Sequence, residues 1–473
     1  MTSCEMTDRD AATLEGTWRD ALLRTSSGLK AATRSFKAIA GSPATIATDP
    51  EANENYAPAL LFSELPVYQS MNKHRGIAAM FGLKNPFYRA HEGRIGADTR
   101  CEGRRLVNFA SYDYLGLNQE PAVAAAAKAI IDACGTSVSA SRLVAGERHV
   151  HRRLEEALAD LYGSEDCLTF VSGHATNVST IGVLVGSDDL IVHDELMHNS
   201  ALMGARLSRA TTIGFRHNNL DHLEKVLRES RGKHKNALII VEGLYSMDGD
   251  FPDLPRLIEI KKRFGAWLMV DEAHSLGVLG RTGRGVAEHF AIDPRQVDIW
   301  MGTLSKTLAS CGGYICGSKD LIEILKYQAP GFVYSVGLSP PATAAALAAV
   351  EILKADPARV ARLQENGRLF LAEASKAGLD TMTSAGYSVV PVMVGCSVKA
   401  VRLTERLFER GINALPIIHP AVPMKAARLR FFITSKHTAD EIRASVAIIA
   451  EELAGIARKQ SLVERATLAV IAR

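Results

Sequence analysis

The sequence predicts an α/β protein, a mostly parallel sheet covered by helices and followed by a smaller α+β domain. Three observations carry this. Short apolar runs at 168–171, 189–192, 237–241, 266–270 and 297–301 alternate with stretches of helical periodicity, the pattern of strands buried on both faces. Each run ends on polar residues of a kind that carries chemistry. At 473 residues the chain has length for two or three domains.

In chain order, residues 1–62 read as an amino-terminal extension, with an amphipathic candidate helix over 13–40 and a linker over 41–58. Residues 63–106 form an arm, with a second helical candidate over 64–89 that stops near Asn85-Pro86, because the residue before proline disfavours helix. The large domain spans 107–352 and the small domain 353–473, with strand candidates at 388–394 and 429–433. Hydrophobic content of 47% and charged content of 23% are those of a globular protein. A net charge of +3 is too near balance to argue for a nucleic acid partner, and no apolar stretch is long enough to span a bilayer. The seven cysteines are scattered without a CxxC pair, which suggests a reducing, cytoplasmic setting. The Arg-, Ser- and Ala-rich stretch 19–37 has the look of an organellar presequence, but Glu5, Asp8, Asp10, Glu15 and Asp20 argue against that.

Open α/β sheets bind ligands beyond the carboxyl ends of their strands. The residues following the five runs are Ser172-Gly173-His174, His193-Asp194-Glu195 with His198, Glu242 with Ser246, Asp271 with His274, and Thr303 with Lys306. This is the set that pyridoxal phosphate needs. Lys306 suits the imine-forming lysine and could also carry the Cα proton. Asp271 suits the ring nitrogen, which a nearby carboxylate keeps protonated. His274 is within reach of the phenolic oxygen, and His198 could stack on the ring. Ser172, Gly173 and His174 open a helix directly after a strand, which suits a phosphate, and Thr303 and Ser305 could add hydroxyls. Arg428 and Arg430 share one face of a strand candidate, where a guanidinium could grip a carboxylate. Each residue alone has an ordinary reading as a cap, a turn or a solvated side chain; their order and placement together favour the cofactor. Two look-alikes are set aside. The run 312–319 has glycines at nucleotide-loop spacing but Ser318 and Lys319 in the wrong order, and His193, Asp194, Glu195 and His198 match no zinc spacing, so no metal is expected.

At these residues the sequence resembles the α-oxoamine synthases, pyridoxal phosphate enzymes of aminotransferase fold type I. The matching stretches include NFASYDYLG at 108–116, SRLVAG at 141–146, EGLYSMDG at 242–249, VDEAHS at 270–275, GTLSK at 302–306 and ARLR at 427–430; together they cover about residues 65–455. The resemblance implies a seven-stranded sheet and a homodimer with shared active sites. It implies Lys306 as the Schiff-base lysine, Asp271 on the ring nitrogen, His274 and Ser246 by the ring oxygen, and His198 on the ring face. Thr303 with the amides of Gly173 and His174 would take the phosphate, and Arg430 the substrate carboxylate. Tyr112 stands where several members carry Asn and tilts the match toward serine palmitoyltransferase-like members. In the departing stretch 334–341, Ser335 is the candidate for the partner's phosphate.

The resemblance implies a decarboxylative condensation of an amino acid of the serine, glycine or alanine class with an acyl thioester, borne by coenzyme A or an acyl carrier protein. The product is an α-amino ketone. Alternatives on the same scaffold are 8-amino-7-oxononanoate synthase, glycine C-acetyltransferase and aminotransferase activities. From a different class comes a catalytically silent partner subunit, against which Lys306, Asp271 and His274 argue. The basic residues Arg19, Arg24, Lys30, Arg34 and Lys37 suggest either docking of an acidic carrier protein or a plain arm.

Overall fold

A computed structural model describes residues 59–423 and 425–458. The candidate helix over 13–40, the linker over 41–58 and the basic residues of the extension lie outside the described residues. The chain divides into two compact units, one ending at His74 and the other starting at Arg75. In the first, a 3-10 turn Phe62–Glu64 is followed by the opening of the helix Pro66–Met80, whose end falls five residues before Asn85-Pro86.

In the second unit the strands run in chain order as β1 (His91–Glu92), β2 (Asp98–Cys101), β3 (Arg104–Asn108), β4 (Asp166–Phe170), β5 (Leu190–Asp194), β6 (Thr211–Phe215), β7 (Ala237–Glu242), β8 (Trp267–Asp271), β9 (Ile299–Thr303), β10 (Gly313–Gly317), β11 (Val389–Met393), β12 (Ile412–Asn413), β13 (Leu415–Ile417) and β14 (Arg428–Phe432). The central sheet has seven strands in the order β4-β10-β9-β8-β7-β5-β6. All its pairs are parallel except the two that β10 makes. All five apolar runs are strands of this sheet. The other two strands are β6, which is largely exposed and polar, and β10. The latter is the GYICG run set aside above as a nucleotide-loop look-alike.

The reason for the apolar runs is visible in the packing. Because side chains alternate across a sheet, Leu190, Val192, Ile239, Val241, Leu268, Val270 and Trp300 enter one core, while Ile191, Leu238, Ile240, Met269, Ile299 and Met301 enter another on the opposite face. A strand buried on both faces has no polar alternation to show. Trp300 stacks on Tyr162 at 5.3 Å, and the Tyr162 hydroxyl meets that of Tyr314 at 2.8 Å. The buried hydroxyls thereby satisfy each other.

Nearer the carboxyl end, β11, β14 and β13 form a three-stranded antiparallel sheet. A further sheet, β1-β2-β3-β12, was not foreseen; β12 joins β3 in parallel, with Asn413 opposite Asn108. Asn413 Nδ2 donates to Asn108 Oδ1 at 2.8 Å inside that buried pair. No helix among the described residues is long and apolar enough to cross a membrane.

Candidate active site

The carboxyl ends of β4, β7, β8 and β9 converge on a cavity of about 240 Å³. Lys306, Asp271, His274, His198, Thr303, Ser172, Gly173 and His174 all line it, joined by Glu242, Asn177 and Ser200. The parallel sheet explains the convergence: strands running the same way deliver their last residues to one edge.

Asp271 ends β8, 7% exposed. Its Oδ1 accepts the Ala273 amide at 3.0 Å and its Oδ2 accepts Asn177 Nδ2 at 2.9 Å. The same Asn177 Nδ2 donates to Ser200 Oγ at 2.9 Å, and Ser200 Oγ lies 2.7 Å from His198 Nδ1. Ser200 Oγ, having accepted from Asn177, has its own hydrogen for His198. One amide thus orients both the carboxylate and the imidazole. Burial, together with the Lys306 charge and against the pull of Asp271, holds His198 below the usual histidine range. His274 is pushed well below that range, by burial first and then by the cationic Lys306 and Arg430; it is a neutral imidazole. The Tyr114 hydroxyl sits 2.6 Å from its Nδ1 and fixes the ring plane.

Lys306 Nζ lies 5.8 Å from the Tyr112 ring centroid. Burial lowers its pKa to about 8 against the pull of the Asp271 carboxylate, which raises the fraction of free, nucleophilic amine near neutral pH. Tyr112 also packs edge-on against Phe432 at 4.7 Å. On β14, Arg430 lies over the Phe432 ring at 4.6 Å, and its Nη1 donates to the Ser246 carbonyl at 2.7 Å. Arg428, two residues away, is ion-paired with buried Asp248. The two arginines on one strand face therefore divide: Arg428 clamps the loop after β7, and Arg430 keeps its Nε without a partner.

At the start of the helix Gly173–Leu184, Ser172 Oγ accepts the Ala175 amide at 3.3 Å and its carbonyl accepts the Thr176 amide at 3.0 Å. The Gly173 and His174 amides are then the pair at the helix start that an anion would take. Glycine is required here for close approach: a Cβ on Gly173 would meet Thr303 Oγ1 at 3.0 Å, and one on Gly313 would meet the Gly173 Cα at 2.7 Å. Thr303 Oγ1 donates to the Gly312 carbonyl at 3.0 Å. Ser335 is not in this cavity; it lines a separate surface groove with Val144, Tyr334 and Val336.

The residues fit pyridoxal phosphate. Three buried polar atoms at the site, Asn177 Oδ1, Glu242 Oε1 and Arg430 Nε, have no hydrogen-bond partner within the protein. Such atoms are costly unless a ligand satisfies them. A helix start packed against β9 and β10 without a Cβ offers free amides that suit a phosphate, and a lysine and a carboxylate line the same cavity.

Sequence reasoning gave no role to Asn177, Ser200, Tyr114 and His217. Asn177 sits four residues after Gly173, on the same helix face, and belongs with Ser172 and Gly173 to the stretches that carry the family resemblance. His217 lies off the cavity and holds the loop after β7. Its Nδ1 donates to Asp194 at 2.9 Å and its Nε2 to Asp250 at 3.0 Å. Asp194, one of the acids in the rejected metal cluster, is spent on this pairing.

The Aminotransferase class I and II family matches residues 104–449. Among similar proteins, an 8-amino-7-oxononanoate synthase of Symbiobacterium thermophilum is 39% identical over 350 residues, covering 74% of this chain and 89% of the relative. An 8-amino-7-oxononanoate synthase of Beijerinckia indica is 41% identical over 342 residues, covering 72% and 86%. Among solved structures, a Sphingomonas wittichii serine palmitoyltransferase superposes with a TM-score of 0.80 at 27% identity, covering 84% of this chain and 99% of that one.

Proposed function

Because the chain belongs to the α-oxoamine synthase family of fold type I pyridoxal phosphate enzymes, we propose that it condenses an amino acid with an acyl thioester, releasing CO₂ and free thiol and forming an α-amino ketone. The observation that carries this reading is the meeting of Lys306, Asp271 and His198 on one cavity with unsatisfied buried polar atoms.

When bound, pyridoxal phosphate supplies an electron sink for the pair released at the amino acid's Cα. The chain's own residues do the rest. Lys306 Nζ, whose pKa burial lowers to about 8, takes the Cα proton and later returns it. Asp271, held by Asn177 and the Ala273 amide, keeps a proton on the ring nitrogen. Neutral His274, with Nδ1 tied to Tyr114, and Ser246 would hold the ring oxygen, and His198 would cover the ring face. Gly173, His174, Thr303 and Ser172 would hold the phosphate. Arg430, with its free Nε, grips the substrate carboxylate, and Tyr112, its ring 5.8 Å from Lys306 Nζ, contacts the substrate.

The serine palmitoyltransferase reading of the substrates is supported by the structural likeness to that enzyme and by Tyr112. A second reading, 8-amino-7-oxononanoate synthesis, is favoured by identities of 39% and 41% to enzymes of that name. We further propose a cytoplasmic homodimer: Ser335 lies apart from its own chain's Lys306, as a residue serving the partner's phosphate would. A carrier-borne acyl group is a further proposal, tested by deleting residues 1–60 and comparing carrier with coenzyme A donors.

The deciding experiment incubates the purified holo-protein with serine, glycine or alanine and a series of acyl thioesters. Equal amounts of thiol, CO₂ and amino ketone support the proposal and identify the substrates. Amino-group exchange with no thiol release would overturn it in favour of a transaminase.

A further inference from the structure

The reading above gives Glu242 no role. It ends β7 directly opposite Asp271 of β8 in the parallel register and lines the cavity at 3% exposure. Its two oxygens differ: Oε2 accepts the Ser246 amide at 3.1 Å, whereas Oε1 is buried without a partner. The charged groups facing it are Asp271 from β8, Lys306 from the loop after β9 and Asp194 from β5.

Two carboxyl groups side by side in a dry wall do not both carry a full charge. Asp271 receives donors on both oxygens, so it is the better seat for the negative charge. Glu242 has one amide and one empty oxygen, so it is the better seat for a proton. Resting on the cofactor reading, we propose that Glu242 is a neutral acid whose Oε1 hydrogen is donated to an acceptor atom of the bound cofactor ring. The carboxyl pair then presents one negative charge and one hydrogen-bond donor. Burial, reinforced by the Asp271 charge, also pushes Glu242 up to about 8, so it keeps its proton at neutral pH.

The test uses the holo-protein, with the visible absorption band of its cofactor titrated between about pH 5 and 10 and its cofactor dissociation constant measured. Glu242→Gln retains a neutral donor and the acceptor for Ser246, so its band midpoint and cofactor affinity should match the unsubstituted protein. Glu242→Leu removes the donor and should weaken cofactor binding about tenfold. If Glu242 were ionised, Glu242→Gln would remove a negative charge near Lys306 and lower the midpoint by about one pH unit or more; that result overturns the proposal. So does an unchanged affinity in Glu242→Leu. Should the leucine variant fail to fold, the midpoint of Glu242→Gln decides alone. Absence of any visible band in the unsubstituted protein overturns the cofactor reading and this proposal with it, whereas a shifted midpoint with the band intact overturns this proposal only.

Discussion

Replacing His217 with glutamine should change how the protein's stability responds to pH. The ring sits between Asp194, whose side chain is 0% exposed, and Asp250, and is itself 16% exposed. Burial pushes the imidazolium down, but hydrogen bonds and charge from Asp194 and Asp250 outweigh it and raise His217 from 6.5 to about 10. A group whose folded pKa lies above its unfolded value stabilises fully below the unfolded pKa and loses that stabilisation as pH rises through the folded one. The window is therefore from about pH 6.5 to about pH 10. At about 1.4 kcal/mol per pH unit the gap sets a ceiling of roughly 5 kcal/mol, and partial solvent screening brings the expectation to roughly 3 kcal/mol. Glutamine keeps a donor but no charge, and leaves buried Asp194 without its counter-ion, a loss of about 3 kcal/mol at neutral pH. Urea unfolding followed by circular dichroism at steps across the window measures both. The unsubstituted protein should lose stability toward pH 10 and the variant should not, so their difference shrinks as pH rises. Parallel curves across the window would refute the ion-pair argument. Because Asp250 belongs to the loop that presents Ser246, the same variant should also bind cofactor more weakly.

Three further outcomes follow from the site. The rate at which apo-protein captures pyridoxal phosphate, followed by absorbance, should rise through a midpoint near pH 8, where Lys306 loses its proton, and a midpoint near 10.5 would count against the burial argument. Arg430→Ala should weaken amino-acid binding by about a hundredfold, the loss of a charge-assisted bidentate contact, while the cofactor spectrum persists; unchanged binding in a spectral titration would remove Arg430 from the carboxylate site. Asn177→Ala removes the donor shared by Asp271 and Ser200 and should weaken cofactor affinity by about tenfold, measured by equilibrium dialysis, with little effect if the amide merely fills space.

Much of the fold was legible because its strands are buried on both faces. Runs such as 237–241 and 266–270 have no polar alternation, and they stood out between amphipathic helices. The strand-end rule then gathered Lys306, Asp271, His274 and His198 before any contact was known. In the central sheet, the strands that escaped notice are those that break the pattern. β6 is polar and exposed at the sheet edge, and β10 is framed by Gly313, which lies close against Gly173, and Gly317, which lies close against Leu321 and the Asp298 carbonyl.

What the sequence determined by itself is which chemistry stands at the end of each strand, since a short-range pattern of apolar and polar residues suffices for that. The tertiary structure alone decided which of those residues share a partner. Asn177 reaches Asp271 across 94 residues and Tyr114 reaches His274 across 160. Glu242 faces Asp271 only because β7 and β8 lie in that register. Strand order and register arise from the packing of the whole sheet, which no local window contains. The protonation of Glu242, Lys306 and His217 follows from those neighbours and from burial, and so it too was settled only when the chain folded.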